Sequence, residues 1–493
     1  MEDRKISIAV IGGGTATNDL VSTFKALSPS INYVLPILDN GGSTSELIRV
    51  IGGPAIGDLR SRLTRLIPES QEPLRRLLSF RLSSDSETAK AEWNEIVEGS
   101  HYLWIDIMSS TREIIRAFFV HVHVELLKRS KHHFSTRSKT QFRYELASVG
   151  NLFLTGVRLF IGSLDSAIEL FARLTEIDVN TLVLPCINTN FSYHISALLE
   201  NGFIITGQSQ ISHPSESGPA VDVYPPPIST TRPPTPTESD SPGDYWSTQP
   251  KSNQTLNVPI NEVATTNLMQ RPSDSVEFDD SDEESGSVPQ YTHPELKKSQ
   301  LHFCKTDNVR PLLSPIKRIF YISPYGQEIC PVAYNRVTNT LATADAIVYS
   351  IGSLMTSIVP VVILRGVGKA IASDLTDNQK KKKRILLLNG CLDRETFGMT
   401  AADFVKVIVD LALYSILESK PRSSLEIEES NLGKDWTNFI THLVYMKDPK
   451  IKVDRKIIEE KKVSCIEVDR VTGEDSFELK DLEKKLSSII HGH

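Results

Sequence analysis

The chain has 493 residues, a net charge of −7, 40% hydrophobic residues and 23% charged residues. That suffices for a sizeable core and, on length alone, two or three domains; the acidic balance argues against general nucleic-acid binding. Five cysteines without a CxxC pair read as reduced thiols, the N-terminus enters an apolar segment with no room for a signal peptide, and no apolar run is long enough for a bilayer span. The expected compartment is the cytoplasm, with the nucleus left open.

Ile6 to Ile11 is a predicted strand, and Gly12-Gly13-Gly14-Thr15 is its turn. A helix follows with Leu20, Phe24 and Leu27 at helical spacing, then a second strand, Tyr33 to Leu38, ending in Asp39-Asn40-Gly41-Gly42-Ser43. Strand, glycine turn, helix and strand make a βαβ unit. Its turns lie at the carboxyl ends of the strands, where open α/β sheets bind ligands. Glycines let backbone N–H groups approach a phosphate, and the helix N-terminus favours its charge. A glycine turn can also be mere geometry. Thr17 stands where the dinucleotide fingerprint needs its third glycine, and Asp39 is the only acid near the usual ribose position, so NAD is disfavoured. Ser43, Thr44, Asp58 and Arg60 add hydroxyls, an acid and a base at the same edge. Asp58 reads as the N-cap of a helix carrying Leu59, Leu63 and Leu66.

From Pro68 to about Ser148 the pattern turns helical and irregular. Trp104 to Lys128 carries Ile105, Met108, Ile114, Ile115, Phe118, Phe119, Val122, Leu126 and Leu127, which predicts a well-buried helix. His121, His123, His132 and His133 are candidate metal ligands, against the plainer reading of a cationic helix end. Ser148 to Asn151 opens the next unit, followed by core helices at Leu152 to Phe160 and Asp165 to Leu174. Strands are predicted at Val183 to Pro185, near Ile195 to Leu199, and at Phe203 to Gln210. The stretch 212–300 is rich in Pro, Ser and acids and is expected to be disordered, a passive loop or a kinase substrate.

The fold resumes at Ile316 to Ile322, then a helix at Tyr334 to Leu341. Strand Ala346 to Ser350 leads into Ile351-Gly352-Ser353-Leu354-Met355-Thr356-Ser357, a second phosphate-cradle candidate. The basic run Lys380 to Arg384 reads as a solvated loop before strand Ile385 to Leu388, which ends at Asn389 with Glu395 beyond. Ala401 to Leu417 is an amphipathic helix; strands follow at His442 to Met446 and Val463 to Val468, and a helix at Leu479 to Ile490. The expected fold is a doubly wound, Rossmann-like parallel α/β sheet. Its first part would be 1–211 with a helical insertion at about 68–148, its second part 301–410, and 411–493 an extension packed on it.

Six segments in order, GGGTATNDL, LDNGGSTSELI, GPAIGDLRSRL, SVGNLFL, ADAIVYSIGSLMTSIVP and LLNGCLDRETFGMTAADFV, resemble the family joining the 2-phospho-L-lactate transferases (CofD-like) with the bacterial gluconeogenesis factors. The gluconeogenesis-factor branch looks closer. The resemblance implies a doubly wound sheet and a nucleotide-type ligand: a nucleotide sugar of the UDP type in the factor branch, or magnesium-dependent transfer of a phospholactyl group in the other. The sequence departs from the family at Ala16, at Asn40 (where the factor branch has a second Asp), at Ser61, and at Ser350-Ile351-Gly352 in place of Gly-Pro-Gly.

The first functional expectation is a nucleotide or nucleotide-sugar binding protein with a role in carbon metabolism. Gly13, Gly14 and Thr15 would take one phosphate, with Gly42 and Ser43 beside them. Gly352, Ser353 and Ser357 would take another part of the ligand, and Asn151 and Asn389 the base or sugar. The second is a phosphoryl or phosphodiester transferase in which Asp39 and Asp58 hold magnesium or act as base and Arg60 offsets phosphate charge. The third is a scaffold regulated by phosphorylation of the insertion. A homodimer is left open.

Overall fold

The computed structural model describes residues 6–38, 41–131, 141–212, 311–374, 381–417 and 435–492. Asp39, Asn40, His132, His133 and the expected insertion beyond Ser212 lie outside these residues.

The described strands are β1 (Ser7–Ile11), β2 (Ser30–Leu35), β3 (Thr181–Pro185), β4 (His194–Leu199), β5 (Ile204–Thr206), β6 (Ile316–Ile322), β7 (Glu328–Ile329), β8 (Ala346–Tyr349), β9 (Lys383–Leu387), β10 (His442–Met446) and β11 (Ser464–Val468). Seven form one parallel sheet in the order β11-β10-β9-β8-β1-β2-β3. The chain runs outward from β1 to β3, then returns to lay β8 beside β1, with Ile8 opposite Ala346 and Ile11 opposite Tyr349. That reversal between β1 and β8 is the topological switch point of a doubly wound fold. Ile8 to Ile11 and Ala346 to Tyr349 are wholly buried, as strands covered on both faces must be, and they read as unbroken apolar runs for that reason. The tail's β10 and β11 extend this sheet, and the helix Leu479–His491 packs on α1 (Val21–Leu27), where the His491 ring meets the Leu27 carbonyl at 3.2 Å.

A smaller antiparallel sheet has the order β5-β4-β6-β7. It is tied to the main body where the Tyr321 hydroxyl donates to the Pro360 carbonyl at 2.8 Å. The expected strand Phe203 to Gln210 is only partly strand. It stops at Thr206, Gly207 adopts φ +92°, and Gln208–Ser212 is helical. Apolar residues end at Ile205, so nothing holds the rest in the sheet.

Between β2 and β3 lie α2 (Ser43–Val50), α3 (Gly57–Leu66), α4 (Glu72–Ser79), α5 (Ser86–Glu98), α6 (Ser109–Lys131), α7 (Val149–Ile161) and α8 (Leu164–Leu174). Trp93 of α5 meets Phe119 of α6 edge-on at 5.3 Å and donates its indole N–H to His123 Nδ1 at 3.0 Å. His123 is thus a core histidine, and its burial lowers its pKa. His121 points elsewhere, against Phe160, so the described pair makes no metal site. α6 is not buried throughout. It begins at Ser109, leaving Ile105 and Met108 exposed, and Ile114 and Leu127 are exposed as well.

The basic run is not a solvated loop where it is described. Lys382 is buried, and its ammonium donates to the carbonyls of Leu341 and Ala342 at 2.8 Å each, at the end of the helix Asn335–Thr343. Burial and the neighbouring Arg384 lower its pKa to about 8. Arg384 is buried with it and reaches Asp374 at 2.7 Å. These cations satisfy helix-end carbonyls that would otherwise be orphaned.

Candidate functional site

The loops leaving β1, β2 and β8 and the first turn of α3 surround a cavity of about 630 Å³. Its lining brings together Gly13, Gly14, Thr15, Gly42, Ser43, Asp58, Arg60, Asn151, Gly352, Ser353 and Ser357. Only glycine fits at Gly14: a Cβ there would stand 2.7 Å from the Cα of Asp58, which is backbone and cannot yield. A Cβ on Gly13 would meet Ser357 Oγ at 2.8 Å. The turn after β1 therefore lies directly on α3 and on the loop after β8. Gly352 has φ +129°, a conformation that disfavours any side chain.

Asp58 is not the cap of α3. The helix starts at Gly57 after Ile56, so Asp58 sits within the first turn, where a carboxylate still favours the helix dipole. Its side chain faces Gly13 and Gly14 rather than its own backbone end. Arg62, one turn on, is buried beneath the same loop. Its guanidinium donates to the Thr17 and Gly13 carbonyls at 3.2 Å each and lies 4.6 Å from the Tyr33 ring centre. Burial lowers its pKa to about 10, and Tyr33 and Asp58 oppose that shift.

Ser43, Asn151 and Arg60 form one chain of hydrogen bonds. Ser43 Oγ accepts from Ser148 N and from Asn151 Nδ2, both at 3.0 Å, and Arg60 Nε donates to Asn151 Oδ1 at 3.1 Å. The Arg60 stem crosses Gly150, where a Cβ would stand 3.0 Å from Arg60 Cδ and 2.2 Å from the Leu78 carbonyl. Asn151 thus aims Arg60 at the cavity. Asn389 stands behind the opposite wall. Its Oδ1 accepts from Gly352 N at 3.0 Å and its Nδ2 donates to Gly352 O at 2.7 Å, so both ends of its amide hold the glycine loop.

Glu395 supports that loop from below. Ser353 Oγ donates to Glu395 Oε2 and accepts from Thr356 N at 2.9 Å; Thr356 Oγ1 lies 3.1 Å from Glu395 Oε1. Burial, reinforced by the charge of Asp393, pushes the Glu395 carboxyl up to about 8. At neutral pH such a carboxyl holds its proton, so the loop rests on a neutral side chain rather than a buried charge.

Several contributors were not legible as site residues. Arg81 lines the cavity with its guanidinium 3.8 Å from where a Cβ on Gly42 would lie. Gln208 and Ser209 also line it. Arg62 supports it from below. Each reaches the site across a long sequence distance with no local motif to mark it. Among the described residues Asp58 is the sole acid in the lining, and no group of three or more His, Cys, Asp or Glu could hold a metal.

A doubly wound sheet whose glycine turns and arginines converge on one crevice at the switch point defines a protein class: a doubly wound α/β protein with a glycine- and arginine-lined cleft at its strand ends. The profile of the family described as 2-phospho-L-lactate transferase CofD matches residues 8–471, and the chain belongs to that family. An uncharacterized protein of Saccharomyces cerevisiae is 41% identical over 98% of this chain and 99% of its own length. A protein of Aquifex aeolicus described as "Putative gluconeogenesis factor" is 30% identical over 17% of this chain and 26% of its own. The crystal structure of protein BH3568 from Bacillus halodurans superposes with a TM-score of 0.52 at 16% identity, covering 98% of this chain and 99% of that one; a second structure of it is titled a member of the upf0052 family. At that identity the likeness bears on the fold, and it agrees with the parallel sheet described above.

Proposed function

We propose that the crevice between β1 and β8 binds a nucleotide sugar of the UDP type through its phosphates, and that the protein acts in carbon metabolism. The carrying observation is the convergence of the Gly13-Gly14 turn, the Gly352 loop and the two arginines Arg60 and Arg81 on one cavity. Its volume suits a ligand of that size. Glycine turns bring N–H groups close to phosphate oxygens, and arginines pair with them in two-pronged fashion. The similarity to proteins described as gluconeogenesis factors supports the metabolic role. The place of action is proposed to be the cytoplasm; no described helix is long and apolar enough to cross a membrane.

Thermal denaturation of the full chain tests this reading. UDP-sugars should raise Tm more than NAD does, and an equal or greater rise with NAD overturns the ranking.

A second reading, transfer of a phosphorus-containing group, is favoured by the family's description and by Asp58 standing in the cavity with Arg60. Magnesium fits the donor set in its usual mode, one carboxylate plus ligand phosphates, and Asp58 would be that carboxylate. When bound, the metal would supply charge to developing phosphate oxygens. Arg60, aimed by Asn151, would offset the same charge. Alternatively, with the metal held by the ligand phosphates, Asp58 would take the proton of an acceptor hydroxyl. Incubation of nucleotide ligand and candidate alcohols with the protein, followed by phosphorus NMR, separates the two readings: new phosphodiester signals support transfer, and unchanged spectra with retained binding support the first.

A further inference from the structure

The crevice has two unlike walls. In the sheet order the loops after β8 and β2 stand on either side of the β1 turn. The β2 side carries the cations: Arg81 stands by Gly42, and Arg60 is tied through Asn151 to Ser43. The β8 side of the lining carries, among the described residues, no charge. Its polar side chains are those of Ser353, Thr356 and Ser357, with Gln208, Ser209 and Ser212 of the short helix Gln208–Ser212, which packs against the turn Leu354–Ile358. That helix is a fixed platform. Gly207 turns the chain out of β5 at φ +92°, its N–H donates to the Ile195 carbonyl at 2.8 Å, and Ile211 is wholly buried. Ser209 is buried as well, so it lines the cavity at depth.

The two amides that the sequence offers for a base or sugar are committed to the protein, Asn151 to Ser43 and Arg60, and Asn389 to Gly352. Ser353 and Thr356 likewise bond to Glu395. Gln208 is the other amide in the lining. The purely apolar side chains there are Ala16 and Ile351, and among the described residues the lining has no aromatic one. A flat heterocycle is normally gripped by apolar and aromatic faces. An amide beside a hydroxyl matches a polyol instead, since each sugar hydroxyl both donates and accepts.

We propose, on the reading of the crevice as a nucleotide-sugar site, that Gln208 and Ser209 select the sugar. The diphosphate lies on the Arg60 and Arg81 side, the uncharged hexose lies against the short helix, and the base lies away from this wall. Gln208 presents an N–H donor and a carbonyl acceptor to two neighbouring sugar hydroxyls, and the Ser209 hydroxyl meets a third. A wall built to bond hydroxyls discriminates through the polar groups it leaves unpaired when the matching hydroxyl is missing. The sugar therefore adds affinity to the bare nucleoside diphosphate, and that increment resides in Gln208 and Ser209.

Isothermal titration of UDP, UDP-glucose and UDP-galactose into the full chain tests this assignment, with Tm and circular dichroism as folding controls. The wild type should bind the better of the two sugars at least about tenfold more tightly than UDP. Gln208→Leu keeps the bulk and removes both polar groups. It should weaken that sugar at least about tenfold while leaving UDP within about twofold. Ser209→Ala is the milder change and should act in the same direction by at least about threefold, and it carries the same test if the leucine variant does not fold. A sugar that adds nothing to UDP in the wild type overturns the assignment, as do variants that bind the sugars as the wild type does or that lose UDP to the same degree. In each of those cases UDP still binds the wild type, so the phosphate reading stands. Binding of none of the three by the wild type overturns that reading and the assignment with it.

Discussion

Replacing Arg62 by Met should loosen the glycine turn that shapes the crevice. Arg62 is buried, and its guanidinium makes two bonds of 3.2 Å, to Gly13 O and Thr17 O, besides its contact with the Tyr33 ring. Hydrogen bonds from a charged donor contribute roughly 1.5–3 kcal/mol each, and a desolvated cation–π contact adds on the order of 1–2 kcal/mol. Against this, the methionine variant no longer buries a charge, which offsets part of the loss. Its Nε has no partner among the described residues, so the buried guanidinium is already incompletely satisfied. The expected net destabilisation is about 2–4 kcal/mol in equilibrium urea unfolding at neutral pH. Met fills similar volume, so the loss reports the polar contacts rather than a cavity. At a temperature where the variant is folded, UDP-sugar affinity should also fall, because the Gly13 carbonyl is no longer held. Arg62→Lys should recover only part, since an ammonium cannot span both carbonyls as a planar fork does. A methionine variant within about 1 kcal/mol of wild type, with unchanged ligand affinity, would refute the reasoning.

Three further outcomes follow from the same structure. Asp58→Asn should leave unfolding free energy within about 1 kcal/mol, since Asn keeps the side chain's shape and an accepting oxygen, while abolishing any magnesium dependence of ligand binding; normal magnesium-dependent binding would show that the Asp58 charge is not needed for the metal. His194 is buried, and that burial lowers its pKa to about 4, so its neutral form belongs to the fold. Stability from this group is present above the unfolded pKa of about 6.5 and is lost as pH falls toward 4, by about 3 kcal/mol; His194→Gln should flatten that limb of the urea-midpoint profile. Glu395 is shifted the other way, its folded carboxyl raised by burial to about 8, so its contribution is full below the unfolded pKa and is lost as pH rises through 8. Glu395→Gln should therefore be at least as stable as wild type at pH 9, and a variant less stable there would contradict a protonated role.

The fold was legible where strands are covered on both faces. β1, β8 and β10 read directly as short apolar runs ended by turn residues, because a central parallel strand has no polar face to interrupt it. The glycine turns were legible because close approach leaves a residue-type mark, as at Gly14 against the Asp58 backbone. Arg62 and Arg81 were not legible as site residues. Nothing in the local sequence separates a buried arginine from the exposed ones around it, and only the packing of α3 under the β1 turn selects Arg62. Lys382 misled for the same reason: a lysine in a run of five basic residues reads as solvated until a helix end offers it two carbonyls. In α6, apolar periodicity marked residues that need cover but not which face the chain itself supplies.

The central claim, a phosphate-bearing nucleotide sugar held at the β1–β8 crevice, is tested most directly by isothermal titration of a UDP-sugar into the full chain. The wild type and the Arg60→Ala, Arg81→Ala double variant would be compared under identical salt. Saturable one-to-one binding by the wild type, weakened at least about tenfold in the double variant and absent with NAD, is the predicted result. No binding by the wild type, or equal affinity in the two proteins, would contradict the account.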